Sequence, residues 1–259
     1  MLKTADILVI SIFYFTVIHA VHFNGGTIRW QPVDPNENSS SVTITIIQTY
    51  YWTYPTIVCS TDVPISTPLR QDTAVNLSCI ADCLTDGGYS NNMITMVTDC
   101  VTANAAIQMM TSQRSVNITI SADAHFYLAF QGLAWRDLND PVEIDLPWSL
   151  VLSIDIRKRP DNITNTAPVG IVSSPQFAAA NRITPIRILV SDVNENDDIR
   201  CRWAENMTIS PVDECGGACF PANVPTGSNL SNCTLFFWGI TAGVWYAATI
   251  QVQEQLFLE

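Results

Sequence analysis

Charged residues are scarce in this 259-residue chain, and lysine is almost missing. Charged side chains make up 14% of the sequence, and the 24 acids outnumber the 12 basic residues, which gives a formal net charge of −12. Nucleic acids and anionic membrane surfaces are bound through cationic side chains, so this balance argues against both as partners. With only three histidines, the chain also offers few candidates for a general base or a zinc ligand.

The sequence also lacks an apolar run of about 18 residues, the length that a membrane-crossing helix needs. The apolar run at 7–18 is shorter; Lys3 precedes it and Ala20 follows it. A basic start, a short apolar segment and a small residue at its end are typical of a cleaved secretory signal peptide. We therefore predict a signal peptide over residues 1–20, a secreted extracellular product and no membrane span.

Cysteine usage agrees with an oxidising compartment, because the number of cysteines is even and all of them follow the predicted signal peptide. They fall into two groups of four: Cys59, Cys79, Cys83 and Cys100, then Cys201, Cys215, Cys219 and Cys233. We expect disulfides within each group, and three pairings remain open in each. The spacing of Cys215 and Cys219, with three residues between them, predicts a structural disulfide loop and not a redox motif.

Sequons for N-glycosylation are a third sign of the secretory pathway. They begin at Asn38, Asn76, Asn117, Asn162, Asn206, Asn229 and Asn232. Asn229 and Asn232 are too close together for both to carry a glycan comfortably.

Strand patterns dominate the chain. Polar and β-branched residues alternate at Ser41–Ile46 and Ser115–Ile120, and more loosely at Ser149–Ile156. The one helix-like stretch is Thr102–Met110. Many short strands separated by turn-forming residues predict an all-β fold of the β-sandwich type.

A polar, proline-bearing segment at 158–168 separates the two cysteine groups. We therefore predict two tandem disulfide-bonded β-sandwich domains after the signal peptide. The first spans 21–160 and contains the first cysteine group. The second is a smaller immunoglobulin- or cadherin-like sandwich over 166–256, which contains the other group.

Oxygen-bearing side chains alternate in the acidic stretch 192–198, directly after the strand-like residues 188–191. Residues 188–202 resemble the acidic strand-end segment of cadherin-like and polycystin-repeat-like extracellular β-sandwich domains, although Asp198 stands where cadherins continue with proline. The resemblance implies a calcium site with these ligands: Asp192, Asn194, Asn196 and Asp197. The alternative is a solvated acidic turn, and we expect no other cofactor.

Two further features leave alternatives open. The aromatic group at 50–54 is either an exposed platform for a protein or glycan partner or part of the core. His125 is either the base of a Ser-His-Asp triad or a structural or surface histidine, and no nucleophile-elbow motif accompanies it.

These features favour a non-enzymatic extracellular adhesion, recognition or matrix module, which could be the N-terminal part of a larger ectodomain. Its partner would be an extracellular protein or glycan. One alternative is a secreted hydrolase that uses carboxylates or His125, and another is a tandem domain made rigid by calcium.

Overall fold

A computed structural model describes residues 22–63, 76–133, 135–139, 142–143, 146–159, 164–194, 197–206 and 212–255. The predicted signal peptide, Asn162 and Asn196 lie outside these ranges. Within the described ranges, no helix has the length and apolar character needed to cross a membrane.

The fold is all-β, and its strands fall into two sets along the chain. The first set comprises β1 (Phe23–Pro32), β2 (Ser41–Thr53), β3 (Ser78–Ala81), β4 (Asp99–Asn104), β5 (Met109–Ser121), β6 (His125–Gly132), β7 (Leu138–Asn139), β8 (Val142–Glu143) and β9 (Trp148–Asp155). They build an antiparallel sheet in the order β1-β2-β5-β4, a second one in the order β3-β6-β9, and the small β7-β8 pair. The 3-10 turns Cys83–Thr85 and Tyr89–Asn91 lie between β3 and β4.

The second set has shorter strands. It comprises β10 (Val169–Ile171), β11 (Arg182–Arg187), β12 (Leu189–Ser191), β13 (Asp198–Trp203), β14 (Asn229–Ser231), β15 (Thr234–Gly239) and β16 (Ile250–Gln255). They pair as β10-β12, β11-β15-β14 and β13-β16, all antiparallel.

The alternating sequence of β2 and β5 explains the main core. Ile44 and Ile46 of β2 are fully buried, and Ile44 lies opposite Ile118 of β5. Successive side chains of a strand point to opposite faces, so one face of this sheet is apolar and the other carries threonine and asparagine. The apolar face shares one hydrophobic cluster with Phe126, Leu128 and other residues of the second sheet, as in a β-sandwich.

The aromatic group at 50–54 contributes to this core. Tyr50 and Trp52 are fully buried, and Trp52 packs edge-on against Phe23 at a centroid distance of 5.5 Å. Phe23 stacks on Trp148 at 4.2 Å. The interpretation as core is therefore correct for Tyr50 and Trp52, and their rings are not available as a platform.

The helix-like stretch at Thr102–Met110 is not a helix. It contains the end of β4, a turn and the start of β5, with Ala103 paired to Met110. The hairpin satisfies the backbone of β4 by pairing it with β5, which overrides the helix preference of alanine and methionine.

All eight cysteines are paired within their own groups. The bridges are Cys59–Cys100, Cys79–Cys83, Cys201–Cys233 and Cys215–Cys219. The predicted disulfide loop at 215–219 is thus confirmed, and each group adopts one of the three pairings that the sequence left open.

Among the described residues, no strand ladder joins the two sets of strands. The sets nevertheless contact each other, because Ser149 Oγ donates to the carbonyl of Asp213 at 2.6 Å and Ser174 Oγ to that of Asn24 at 2.8 Å. Ala218 also joins the core cluster of the first set. Residues of both sets of strands therefore belong to one hydrophobic cluster.

Candidate functional site

Three carboxylates converge beside the segment that connects the two sets of strands. Asp192 follows the end of β12, Asp197 precedes the start of β13, and Glu254 lies in β16. One oxygen atom from each of the three lies within 4.8 Å of the others. We call these three residues the acidic cluster.

Local hydrogen bonds and one ladder assemble the acidic cluster. The backbone nitrogen of Asn194 donates to Asp192 Oδ1 at 2.9 Å, which closes an Asx-type turn after β12. β13 and β16 are antiparallel, and Ile199 lies opposite Glu254. This register brings Glu254 to the acidic loop although it lies far along the chain.

Described residues of the connecting segment contact the acidic cluster and its loop. Arg159 binds Asp197 through both terminal nitrogens, at 2.7 and 2.8 Å, and the Asp197 side chain is only 3% exposed. Arg159 also donates to Asn165 Oδ1 at 3.2 Å, and the amide nitrogen of Asn165 donates to the Glu254 carboxylate. The backbone nitrogen of Thr166 donates to Asn194 Oδ1 at 2.8 Å.

The charges of this site do not balance. Burial, together with the charges of Asp192 and Asp197, raises the pKa of Glu254 to about 8, although Arg159 opposes the shift. Two buried oxygens, Asp192 Oδ2 and Glu254 Oε2, have no N–H or hydroxyl donor within the described part of the chain, and a hydrogen bond between the Asp192 and Glu254 carboxyls contributes to the raised pKa. Facing carboxylates of this kind need either a shared proton or a bound cation.

Calcium suits this arrangement better than a transition metal does. Ca²⁺ takes oxygen ligands at about 2.3–2.6 Å, so two oxygens on opposite sides of the ion are about 5 Å apart. The oxygens of the acidic cluster meet that limit, and Asn165 Oδ1 adds a neutral oxygen nearby. The nitrogen and sulfur ligands that zinc and copper prefer are missing from the cluster.

Of the four calcium ligands implied by the resemblance to cadherin-like domains, two lie in the acidic cluster. Asp192 and Asp197 belong to the acidic cluster, while the amide oxygen of Asn194 is directed to Thr166. Asn196 lies outside the described residues. Glu254 is the residue that the sequence analysis missed, because nothing in its own strand distinguishes it from other glutamates of the chain, and the β13–β16 pairing is what reveals it.

A second group of possible ligands, Asp213 with Cys215 and Cys219, has no free thiolate. The two cysteines are bonded to each other. A disulfide sulfur is a poor metal ligand, so this group serves the loop structure.

His125 lies at the start of β6 in an open depression that Ser121, Asp123 and Arg157 also line. A triad requires the histidine between the hydroxyl and the carboxylate. Here Ser121 Oγ donates directly to Asp123 Oδ1 at 2.5 Å, and His125 Nδ1 lies 3.2 Å from the backbone oxygen of Asp123. This order of contacts does not activate the serine.

The sequons are mostly accessible. Five asparagines are exposed and Asn76 is half-buried; the exposed ones are Asn38, Asn117, Asn206, Asn229 and Asn232. Glycans at the exposed positions would meet no steric barrier from a buried side chain.

No protein-family model matches this chain, and no curated protein and no solved structure is significantly similar to it.

Proposed function

We propose that this protein is a non-enzymatic extracellular recognition or adhesion module made of two disulfide-bonded β-sandwich domains, and that calcium fixes their junction. Its partner is an extracellular protein or glycan. The acidic cluster is the observation that carries the proposal, because it joins the connecting segment to the second set of strands.

Calcium would stabilise the junction by neutralising the carboxylates of the acidic cluster. Among the described residues, the guanidinium of Arg159 is the cation that contacts the acidic cluster. A divalent ion would neutralise the excess charge and ligate the two oxygens that lack donors. Because Arg159 and Asn165 of the connecting segment already contact Asp197 and Glu254, the ion would hold the two domains at a fixed angle.

The extracellular assignment is supported by the covalent chemistry of the chain. Four disulfides within 239 residues after the predicted signal peptide suit an oxidising compartment and would not persist in a reducing cytosol. The exposed sequons point to the same environment. Extracellular β-sandwich modules commonly serve in recognition, and the proposed role follows from this shared class of protein.

The experiment is thermal unfolding of the secreted, full-length protein in calcium and in the chelator EGTA. Extracellular modules bind calcium with a Kd of about 0.1–1 mM. At ten times the Kd, linkage stabilises the folded state by about 1.4 kcal/mol, which corresponds to a rise in Tm of roughly 3–6 °C.

Matched variants separate a specific site from general screening of acidic charge. Asp192→Asn removes one carboxylate of the acidic cluster and should abolish the response to calcium. Asp198→Asn is the control, because Asp198 pairs with the exposed Arg200 and lies outside the cluster. A Tm that is the same in calcium and EGTA, or an equal response in both variants, would refute the calcium junction.

Recognition needs a separate test. Beads coated with the secreted protein should bind cultured cells or one another in calcium and release them in EGTA. Binding that is absent in both conditions would count against an adhesive role, whatever the thermal result.

A further inference from the structure

One face of the β11-β15-β14 sheet carries a group of exposed apolar side chains. Ile183 is 50% exposed, Phe236 39% and Trp238 36%, and Pro185 is exposed as well. Ile183 lies opposite Trp238, and Pro185 lies opposite Phe236, so all four side chains share one face. We call these four residues the aromatic face. Contiguous apolar surface of this kind in a secreted chain calls for something that covers it.

The first strand of the β14–β15 hairpin places a sequon on the aromatic face. Asn229 lies directly opposite Phe236 across the ladder, and Ser231 lies opposite Thr234. Residues opposite each other in an antiparallel pair have Cβ atoms about 4.5–5.5 Å apart and point to the same side. The intervening Leu230 points to the other side, where its partner Leu235 is buried.

The neighbouring sequon at Asn232 is explained by the turn in which this asparagine lies. Asn232 and Cys233 form the two-residue turn between β14 and β15, with φ of 47° and 51°. Such a turn requires left-handed backbone, and asparagine tolerates it better than most residues do. Cys233 is in turn bonded to Cys201. The left-handed turn therefore explains why asparagine stands at position 232. Asn229 does not have a positive φ, so its backbone does not require asparagine.

We propose that an N-linked glycan on Asn229 covers the aromatic face, with its first N-acetylglucosamine lying on the rings of Phe236 and Trp238. The inference rests on the extracellular placement proposed above.

The chemistry of the sugar supports this contact. The first sugar is joined to the side-chain nitrogen of Asn229, only three bonds from Cβ, so it cannot move far from Phe236. One face of a pyranose ring presents C–H groups, which pack well against the electron-rich face of an aromatic ring. Its other face and the outer sugars carry hydroxyls, which would replace an apolar surface with a solvated one.

Asn117 provides a matched control, because it is also an exposed sequon on a strand. It lies opposite Thr45 and accepts a hydrogen bond from the Thr45 hydroxyl at 2.9 Å. Ile118 after it is buried, so the asparagine occupies the polar face of β5. A glycan on Asn117 has no aromatic ring directly opposite it.

The test is hydroxyl-radical footprinting of the protein secreted from cells that make only high-mannose glycans. An endoglycosidase trims each glycan to one N-acetylglucosamine, and peptide mass spectrometry then measures occupancy and the oxidation rate of Phe236 and Trp238. Asn229→Gln should lose the protection of both side chains, whereas Asn117→Gln should keep it. Ser231→Ala, which removes the sequon but leaves Asn229 in place, should behave like Asn229→Gln.

The outcomes distinguish this inference from the proposal on which it rests. If no sequon carries a sugar, both the extracellular placement and the glycan contact are refuted. If other sequons are occupied and Asn229 is not, only the glycan contact is refuted. Occupied Asn229 with unchanged oxidation of Phe236 and Trp238 in both sequon-removing variants would refute it as well.

Discussion

Replacing Arg159 with glutamine removes the guanidinium that faces the acidic cluster. Arg159 is 17% exposed and its partner Asp197 is 3% exposed, so the pair is largely shielded from water. Loss of one partner leaves Asp197 buried without its bidentate donor and close to two further carboxylates. Breaking a buried pair in this way costs about 3–5 kcal/mol, and the partial exposure of Arg159 favours the lower end of that range.

A neighbouring arginine supplies the control. Arg157 pairs with Asp155, but the two side chains are 54% and 44% exposed. An exposed pair contributes about 0–1 kcal/mol, so Arg157→Gln should be close to neutral. Both substitutions remove one positive charge within three positions of the chain, and they therefore change the net charge equally.

The assay is urea unfolding of both variants and the parent protein in EGTA. We expect the free energy of unfolding to fall by about 3 kcal/mol for Arg159→Gln and by less than about 1 kcal/mol for Arg157→Gln. In calcium the loss for Arg159→Gln should become smaller, because the ion supplies positive charge to the same carboxylates. Equal losses in the two variants would show that the junction pair is no stronger than a surface pair.

Three further predictions concern the folded state. Gly132→Ala places a Cβ 2.3 Å from a ring carbon of the buried Trp148, so urea unfolding should show a loss of about 1–3 kcal/mol, and an unchanged midpoint would contradict the packing. Removing the Cys201–Cys233 bridge by a double alanine substitution opens a loop of 32-residue separation and should cost about 4 kcal/mol, about twice the loss for either four-residue loop. Burial raises the pKa of Tyr89 to about 12, above the unfolded value of 10. The buried, neutral tyrosine therefore stabilises the folded state fully below pH 10, and this stabilisation is lost as the pH rises through 12. Tyr89→Phe should therefore flatten the stability profile in this window by about 2–3 kcal/mol, and a profile as steep as that of the parent would refute the assignment.

The strands that the sequence predicted best are those whose pattern is local. Alternation at Ser41–Ile46 and Ser115–Ile120 is enough to assign a strand, and both segments lie within β2 and β5. The same rule failed for Thr102–Met110, because alanine and methionine suit a helix when considered alone. Ala103 is held extended by Met110 across the turn between β4 and β5, so the stretch is a hairpin whose turn the composition does not signal.

In the acidic cluster, the residues that lie close together in the sequence were predictable and the distant ones were not. Asp192 and Asp197 were predictable because they follow a strand within one short segment. Glu254 and Arg159 were not, since one reaches the cluster through the β13–β16 ladder and the other through the segment between the two sets of strands. The sequence alone reveals the acidic loop, whereas the fold is needed to identify Glu254 and Arg159 as part of the site.

Exposed aromatic residues posed the opposite problem. The sequence does not reveal that Trp238 is exposed, since tryptophan is usually well buried. In the structure it lies on the outer face of the central strand β15, beside Phe236 and opposite Ile183. Which face of a short strand is buried depends on what packs against it, and alternation does not reveal this.

The most direct measurement is isothermal titration calorimetry of calcium into the secreted protein after removal of metal ions. A calcium-fixed junction predicts one ion per chain, a Kd of about 0.1–1 mM, and loss of the binding isotherm in Glu254→Gln. Heat that is absent in the parent protein, or an isotherm that Glu254→Gln leaves unchanged, would contradict the assignment of the acidic cluster as a calcium site.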